Sequence, residues 1–480
     1  MLLALALPLV ATPGIWAAGR HPDIRELVTL SAAGLLFAVV LMLLQSLRAG
    51  EVPELVLLEL LSGVPLAFKL EPVGMLFALV ASGLWVVSSV YSIGYMRGNE
   101  EGHQTRFYIC FAIAIGSTIG VAFAGNLLTL FIFYEALSLS TYPLVTHHGD
   151  EESKRAGRTY IGLLLGTSIG FFLLAILWTW QEVGTLDFRP GGIIAGEMPE
   201  WLAAVLLLLY MYGIGKTALM PLHRWLPAAM VAPTPVSALL HAVAVVKAGV
   251  FTVVKVGLYT FGIDQLNALP TTEVVLAIAG FTVIMASLVA IRQDNLKRRL
   301  AYSTVSQLSY VVLGVMLGTT SGMLGAELQI LTHAFGKITL FFCAGAIYTA
   351  WHKTEISDMN GLARAMPVTY AAFLVGALSV IGLPPMAGSW SKFLLALGAV
   401  EAGQMIFVGV LMMSTLLNVV YLLGPVARGV FLPPPATQTV GVKEAPLPCL
   451  AALIVTAAGC IILFFNADSI HTSLLTTVMR

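Results

Sequence analysis

Length, composition and charge exclude a soluble globular protein. The chain has 480 residues, of which 58% are hydrophobic and 10% charged, and its mean hydropathy is +0.91. A soluble globular domain carries about a quarter charged residues. The formal net charge is zero at pH 7, which gives no reason to expect a nucleic-acid partner.

Apolar stretches long enough to cross a bilayer recur from one end of the chain to the other. Because about 20 apolar residues cross a bilayer as a helix, we predict an all-α polytopic membrane protein with about 14 helices, a single membrane domain over residues 1–480. The first stretch lacks the basic start of a secretory signal, so it is interpreted as a helix. The predicted spans are 1–18, 26–47, 70–95, 107–125, 127–146, 159–180, 201–221, 235–262, 272–291, 300–319, 324–350, 367–398, 404–430 and 446–466.

The basic residues separate between alternate loops and predict the orientation. Sixteen lysines and arginines lie in the odd-numbered loops, and four lie in the even-numbered loops or at the C-terminus. Since positive loops stay cytoplasmic, both termini are expected outside a cell inner or plasma membrane. The other five are Lys216, Lys247, Lys255, Lys337 and Lys392, all within predicted spans. A lysine at a helix centre costs about 2.5–3.5 kcal/mol, which favours function, although Lys255 could reach the outer interface along its stem.

The fifth and seventh helices place opposite charges near mid-membrane. Glu135 lies in FIFYEALSLSTYPL, and Lys216 lies in LLLLYMYGIGKTALMPLHRWLP. At about 1.5 Å of rise per residue both lie deep in the bilayer, so we predict an ion pair. The string GKT is not a phosphate-binding loop, because Tyr210 stands where that loop requires glycine.

The eighth and eleventh helices add further titratable groups at depth. Lys247 lies near the middle of the eighth helix, and His333 and Lys337 share one face of the eleventh at i, i+4 spacing. A histidine titrates near neutrality, so this pair could pass protons along. His241 lies six residues before Lys247 and off its face, so a structural histidine is as good an interpretation as a relay group.

The seventh and twelfth helices contain helix-breaking residues next to a lysine. Pro221 follows Lys216, and the stretch IGLPPMAGSWSKF places two prolines and a glycine before Lys392. Broken backbone at membrane depth survives where it lines protein or water, and paired broken helices indicate inverted repeats. We therefore predict two five-helix repeats, helices 4–8 over residues 107–262 and helices 9–13 over residues 272–430.

Other features favour structural interpretations. Gly162, Gly166 and Gly170 have the spacing of a helix-packing stripe. The loop HHGDEESKR is expected to be solvated, and its two histidines lack companions at metal-ligand spacing. The cysteines Cys110, Cys343, Cys449 and Cys460 form no CxxC pair, so no metal site or redox cofactor is predicted.

Five of these stretches, in this order, resemble one membrane-protein family. They are FIFYEALSLSTYPL, GKTALMPLHRWLPAAMVAPTPVSALLHAVAVVKAGVF, LKRRLAYSTVSQLSY, LTHAFGKITLFF and GLPPMAGSWSKF. Together they are similar to the proton-pumping antiporter-like subunits of respiratory complex I and of Mrp-type cation/proton antiporters. In length and motifs the chain most resembles the D-type member of the Mrp antiporters.

The resemblance implies fourteen helices, two inverted repeats and a central row of proton-carrying residues. It also implies neighbouring membrane subunits in a hetero-oligomer, with H⁺ and Na⁺ as the ions. Residue by residue, the matching positions in this sequence are Glu135, Lys216, Lys247, His333, Lys337 and Lys392.

The primary hypothesis is the proton-translocating subunit of a multisubunit Na⁺/H⁺ antiporter, in which Glu135 switches the charge state of Lys216. The alternative is the pumping subunit of an NADH-quinone oxidoreductase or membrane-bound hydrogenase complex. A redox enzyme in its own right is disfavoured, because the chain has no GxGxxG, cysteine cluster or haem motif. A scaffold without transport and a stand-alone solute transporter are the remaining hypotheses.

Overall fold

The computed structural model describes residues 1–61, 63–435, 441–470 and 472 of the chain. Helices dominate, and every predicted apolar span contains helix. Within the described ranges ten helices are long and apolar enough to cross a membrane, and three further apolar helices are shorter. The predicted helical membrane fold is confirmed, whereas the number of spans stays a prediction.

The helices are numbered here by the predicted span that each occupies. The first eight are α1 (Leu2–Ala17), α2 (Pro22–Arg48), α3 (Pro72–Gly98), α4 (Gln104–Phe123), α5 (Leu127–Val145), α6 (Glu151–Val183), α7a (Glu200–Gly213) with α7b (Trp225–Ala228), and α8 (Thr234–Phe261). The others are α9 (Pro270–Arg292), α10 (Leu296–Met316), α11 (Thr320–Trp351), α12a (Pro367–Ile381) with α12b (Gly388–Glu401), α13 (Met405–Phe431) and α14 (Leu447–Phe465).

Both helices predicted to be broken are interrupted. α7a ends at Gly213, a 3₁₀ turn spans Gly215–Thr217, and the helix resumes only at Trp225. The break therefore begins before Pro221, at the lysine itself. α12a ends at Ile381 and α12b begins at Gly388, with six residues between them.

α8 is also irregular, which the sequence analysis did not predict. Its residues Leu239–Val243 form a π-helical turn, and Ala244 leaves helical geometry with φ −120° and ψ −75°. A π turn inserts an extra residue and rotates the side chains that follow it. The distortion lies between His241 and Lys247, so the spacing rule used to separate their faces does not apply.

α8 and α11 form the centre of the molecule. The apolar window of α8 is 100% buried and that of α11 94%, whereas the windows of α2, α13 and α14 are each 33% buried. Outer helices with apolar exposed faces fit a lipid surround. The buried charges of α8 and α11 must therefore be satisfied by protein, by water or by protonation.

A β-hairpin follows α2 and marks one face of the molecule. Glu54–Leu61 pairs antiparallel with Val64–Lys69, a feature that a search for helix-length apolar stretches does not detect. On this hairpin face Phe68 bridges Ala124, and Ile193 donates its N–H to the carbonyl of Thr260 at 2.9 Å. Even-numbered loops therefore meet here.

The odd-numbered loops meet on the opposite face, called here the basic face. Arg106 donates to the carbonyl of His147 at 2.7 Å, and the Lys443 N–H donates to the carbonyl of Ala365 at 2.9 Å. A bridge also joins Asn295 to Glu355. The alternation read from the basic residues is thus present as two distinct faces.

One structural expectation is wrong, and a second has an exception. A Cβ built on Gly162, Gly166 or Gly170 meets nothing within 4 Å, so this stripe packs against no helix among the described residues. The loop HHGDEESKR is exposed at most positions, as expected, but His147 is buried beside Phe107. The four cysteines are buried and free, as small apolar side chains in packed helices.

Candidate functional site

Lys216 is buried at the break between α7a and α7b. Its Nζ donates to the backbone carbonyl of Tyr134 and to the hydroxyl of Ser138, both at 2.7 Å. The same ammonium lies 3.1 Å from the centroid of the Tyr134 ring. Two acceptors and an aromatic face stabilise a cation that has lost its water. The interrupted backbone places the side chain against α5.

The predicted Glu135–Lys216 ion pair is not formed. Lys216 donates hydrogen bonds instead to Tyr134, one residue before Glu135 in α5, and to Ser138, three residues after it. Both carboxylate oxygens of Glu135 are buried, and neither has a hydrogen-bond partner among the described residues. Ion pairing depends on which side of α5 the carboxylate faces, and helical depth alone does not determine that.

α8 packs directly against the break that carries Lys216. A Cβ on Gly249 would lie 2.6 Å from the carbonyl carbon of Lys216 and 2.8 Å from the nitrogen of Thr217. Real Cβ atoms do not approach backbone that closely, so only glycine fits. This contact brings Lys247, two residues earlier in α8, close to the first lysine.

Lys247 and His333 form a direct contact between α8 and α11. Lys247 Nζ lies 2.6 Å from His333 Nδ1, and both side chains are buried. A neutral histidine nitrogen accepts a hydrogen bond from a lysine ammonium, and the reverse proton arrangement is also chemically possible. This is the geometry that a proton transfer between the two groups requires.

Lys337 and His241 lie beside this pair. Lys337 Nζ donates to the carbonyl of Leu300 in α10 at 3.2 Å. The His241 ring lies 4.6 Å from the Phe341 ring, and neither of its nitrogens has a hydrogen-bond partner in the described ranges. The His241 ring thus packs against an aromatic side chain, and its role as a relay group stays a prediction.

Lys392 joins the two halves of the broken twelfth helix. Its Nζ donates to the carbonyl of Ile381, the last residue of α12a, at 2.8 Å and contacts Thr415 at 3.4 Å. A cation at a helix C-terminus satisfies free carbonyls and complements the helix dipole. Gly382 adopts φ +87°, and a Cβ there would lie 2.7 Å from Lys392 Cδ.

A polar network connects α10 and α11 to α12b, and none of its members is among the predicted site residues. Gln329 donates to Gln307 Oε1 at 2.9 Å, and the hydroxyl of Ser391 donates to Gln329 Oε1 at 2.6 Å. Thr332 lies 3.2 Å from Ser391. The network begins one residue before His333 and ends one residue before Lys392.

Three buried charged residues outside the predicted set also lie in this part of the molecule. Lys255 forms a buried ion pair with Glu71, the residue before α3, and the reach of its stem to the outer interface stays a prediction. Glu327 of α11 is buried, and its carboxylate oxygens have no hydrogen-bond partner in the described part of the chain. A search for acidic residues within apolar spans would have found Glu327.

The basic face contains a polar cavity of about 260 Å³. Glu101, His148 and Lys297 line it, and Lys297 Nζ donates to the carbonyl of Ala232 at 2.5 Å. Lys297 therefore lies at the cavity wall and contacts the backbone just before α8 begins.

Family comparison agrees with the geometry. The family model described as "NADH:quinone oxidoreductase/Mrp antiporter, TM" matches residues 124–418. The chain belongs to this family. The match covers the two helix breaks and all seven predicted site residues. The chain is therefore an ion-translocating, antiporter-like, multi-pass membrane subunit.

Two relatives within the family are subunits of NADH-quinone oxidoreductases. NADH-quinone oxidoreductase subunit N of Desulforudis audaxviator is 34% identical over 414 residues, which are 83% of this chain and 81% of that one. NADH-quinone oxidoreductase subunit L of Mycobacterium tuberculosis is 32% identical over 422 residues, and the match covers 84% of this chain but only 64% of the relative.

Solved structures show the same fold. A chain of the Mrp complex from Dietzia sp. DQ12-45-1b superposes with a TM-score of 0.84 at 20% identity, covering 100% of this chain and 97% of that one. A chain of the membrane-bound sulfane sulfur reductase, an archaeal respiratory membrane complex, gives 0.86 at 23% identity, with coverage of 98% and 77%.

Proposed function

We propose that the chain is the proton-translocating subunit of a multisubunit monovalent cation (Na⁺)/H⁺ antiporter in a cell inner membrane. The observation that carries this proposal is a buried row of titratable groups in which Lys247 and His333 lie within hydrogen-bond distance. Ionisable groups at membrane depth mark ion routes, because an idle charge there is costly. Near-complete mutual coverage with the Mrp chain supports an Mrp-type parent complex.

Protons would move through Lys216, Lys247, His333, Lys337 and Lys392, with His241 beside the row. Water carries the proton across the gaps that are wider than a hydrogen bond. Each transfer breaks one N–H bond and forms another, so no redox change is needed.

Glu135 would act as the switch for this row. When its carboxylate approaches Lys216, the charged lysine is stabilised; when it lies apart, as here, the ammonium depends on Tyr134 and Ser138 alone. Lys216 then releases its proton more readily. The energy for this movement would come from a counter-moving sodium ion.

We also propose that residues 107–262 and 272–430 are inverted repeats. The two interrupted helices support this. The break in α7 carries Lys216, and the break in α12 follows Ile381, whose carbonyl accepts a hydrogen bond from Lys392. Interrupted helices in corresponding positions of two halves are typical of transport paths.

A second candidate is the pumping subunit of an NADH-quinone oxidoreductase. The 34% identity to a subunit N over most of both chains favours it. The same row of groups would then move protons, driven by electron transfer in partner subunits. Neighbouring membrane subunits are part of both proposals.

Vesicle transport of the assembled complex tests the proposal. We expect Lys216→Ala to lower proton movement about a hundredfold, since a lost proton-transfer group costs two or more orders of magnitude. Lys154→Ala, an exposed lysine paired with Glu151, is the control and should transport normally. Sodium-driven proton movement supports the antiporter, NADH-driven movement supports the second candidate, and full transport by assembled Lys216→Ala contradicts both.

A further inference from the structure

The hairpin face contains a second cavity, which reaches a buried ion pair. It has a volume of about 670 Å³ and lies between α2, α3, the β-hairpin and the end of α8. Its polar lining includes Arg48, Glu54, Lys69, Glu71 and Tyr259. Arg48 and Glu54 are exposed, so the cavity connects with the surface of the molecule.

The inner end of this cavity is the buried Glu71–Lys255 ion pair. The Lys255 side chain is 0% exposed and that of Glu71 9%. Lys255 Nζ also lies 4.9 Å from the ring centroid of Tyr259 and 4.2 Å from that of Phe188. Buried pairs are weak stabilisers on balance, so packing alone does not explain two charges at this position.

Glu327 lies between this pair and the Lys247–His333 contact. α8 and α11 run antiparallel: Gly257 faces Met323, whose Cε would lie 3.6 Å from a Cβ there, and Lys247 faces His333. Glu327 is four residues from Met323 on the way to His333. Along α11, Glu327 thus lies about 6 Å from Met323, at the level of Gly257, and about 9 Å from His333, at the level of Lys247.

The burial of Glu327 agrees with this position. Its side chain is 0% exposed, and its carboxylate oxygens have no hydrogen-bond partner among the described residues. An unpartnered carboxylate in a dry interior is expensive unless it binds a proton or water. Glu327 therefore has the position and chemistry of a proton acceptor between the cavity and the row.

We propose that Glu71, Lys255 and Glu327 form the hairpin-face end of the proton route. This rests on the proposed transport function. A proton enters or leaves through the cavity at the Glu71–Lys255 pair, crosses by water to the Glu327 carboxylate, and exchanges with the Lys247–His333 pair. Each transfer breaks one O–H or N–H bond and forms another, with no net change in the carriers.

Three variants of the assembled complex test the proposal in membrane vesicles. Glu327→Gln removes the acceptor, and Glu71→Gln with Lys255→Gln removes both charges without leaving one unpaired. We expect either to lower proton movement about tenfold or more at normal complex abundance. Glu327→Asp keeps a carboxylate and should recover part of the rate. Glu151→Gln with Lys154→Gln removes an exposed ion pair on the basic face and should transport normally.

The comparison with Lys216→Ala separates the two proposals. Transport that is lost in Lys216→Ala but full in assembled Glu327→Gln overturns this route and leaves the proposed function intact. Transport that survives Lys216→Ala overturns the function itself. If the Glu71/Lys255 double variant does not accumulate, the rates of Glu327→Gln and Glu327→Asp decide the proposal, and equal full rates reject it.

Discussion

At the scale of single residues, a carbonyl, a hydroxyl and a ring replace the water around Lys216. Ser138 and the carbonyl of Tyr134 each accept a hydrogen bond from its Nζ at 2.7 Å. The backbone N–H of Lys216 also donates to the Tyr134 hydroxyl at 3.1 Å. One turn of α5 therefore binds both the interrupted backbone of α7 at Lys216 and the ammonium group of that lysine.

We expect Ser138→Ala to slow proton movement about tenfold. A hydrogen bond to a charged group is worth about 1.5–3 kcal/mol, and removing it changes how readily Lys216 holds a proton. Ser140→Ala in the same helix is the matched control, because among the described residues the Ser140 hydroxyl bonds only to the carbonyl of Leu137. Equal rates for the two variants would show that Ser138 is dispensable.

Acid sensitivity is a second prediction at this scale. Burial, with Arg106 nearby, lowers the pKa of His147 from 6.5 to about 4. Between pH 6.5 and 4 the His147 imidazole therefore binds a proton in the unfolded chain but not in the folded chain. The free energy of unfolding falls as the pH drops towards 4. Thermal unfolding between pH 7 and 4 should show a smaller loss for His147→Gln. His148→Gln keeps His147 and should retain the full loss.

At the scale of helices, irregular backbone occurs where the buried charges lie. The break in α7, the π turn of α8 and the break in α12 accompany Lys216, His241 and Lys392 respectively. Free carbonyls and rotated side chains at these places provide acceptors that a regular helix would use internally.

We expect Gly249→Ala to disturb the contact between α8 and the α7 break. The added methyl would meet backbone at 2.6 Å, which should destabilise the subunit by about 1–3 kcal/mol and lower transport. Thermal stability of the purified complex and vesicle transport measure the two effects. Gly166→Ala, where a Cβ meets nothing within 4 Å, should change neither. Unchanged stability in Gly249→Ala would mean that the two helices are not closely packed.

At the scale of the whole molecule, two cavities lie on opposite faces, with the helices that carry the buried row between them. The basic face has the cavity lined by Glu101 and Lys297, and the hairpin face has the cavity that ends at Glu71. Between them α8 and α11 are almost wholly buried. Access from both sides to groups in the middle is what a proton path requires.

Thiol labelling in intact cells tests the orientation. The distribution of basic loops predicts that the hairpin face is outside, so Glu51→Cys should react with a membrane-impermeant reagent. Glu152→Cys on the basic face should react only after permeabilisation. Both positions are exposed, and the four native cysteines are buried, which keeps the background low. The opposite pattern would invert the predicted topology.

Much of the site could be predicted because hydropathy and charge are local properties of the chain. About 20 apolar residues select a spanning helix wherever they occur, and a lysine inside such a stretch is anomalous by itself. Lys216, Lys247, Lys337 and Lys392 were identified in this way. Prolines and glycines beside two of them also indicated the breaks.

What the sequence alone determined is therefore the helical membrane fold, the alternation of its loops and the positions of its buried lysines. The tertiary structure decided which groups meet: Lys247 with His333, Lys255 with Glu71, and Lys216 with Tyr134 and Ser138 in place of Glu135. Such contacts join residues far apart in the chain. They depend on how packed helices are rotated and shifted relative to one another. A π turn or a break changes that rotation, and no local sequence pattern specifies it.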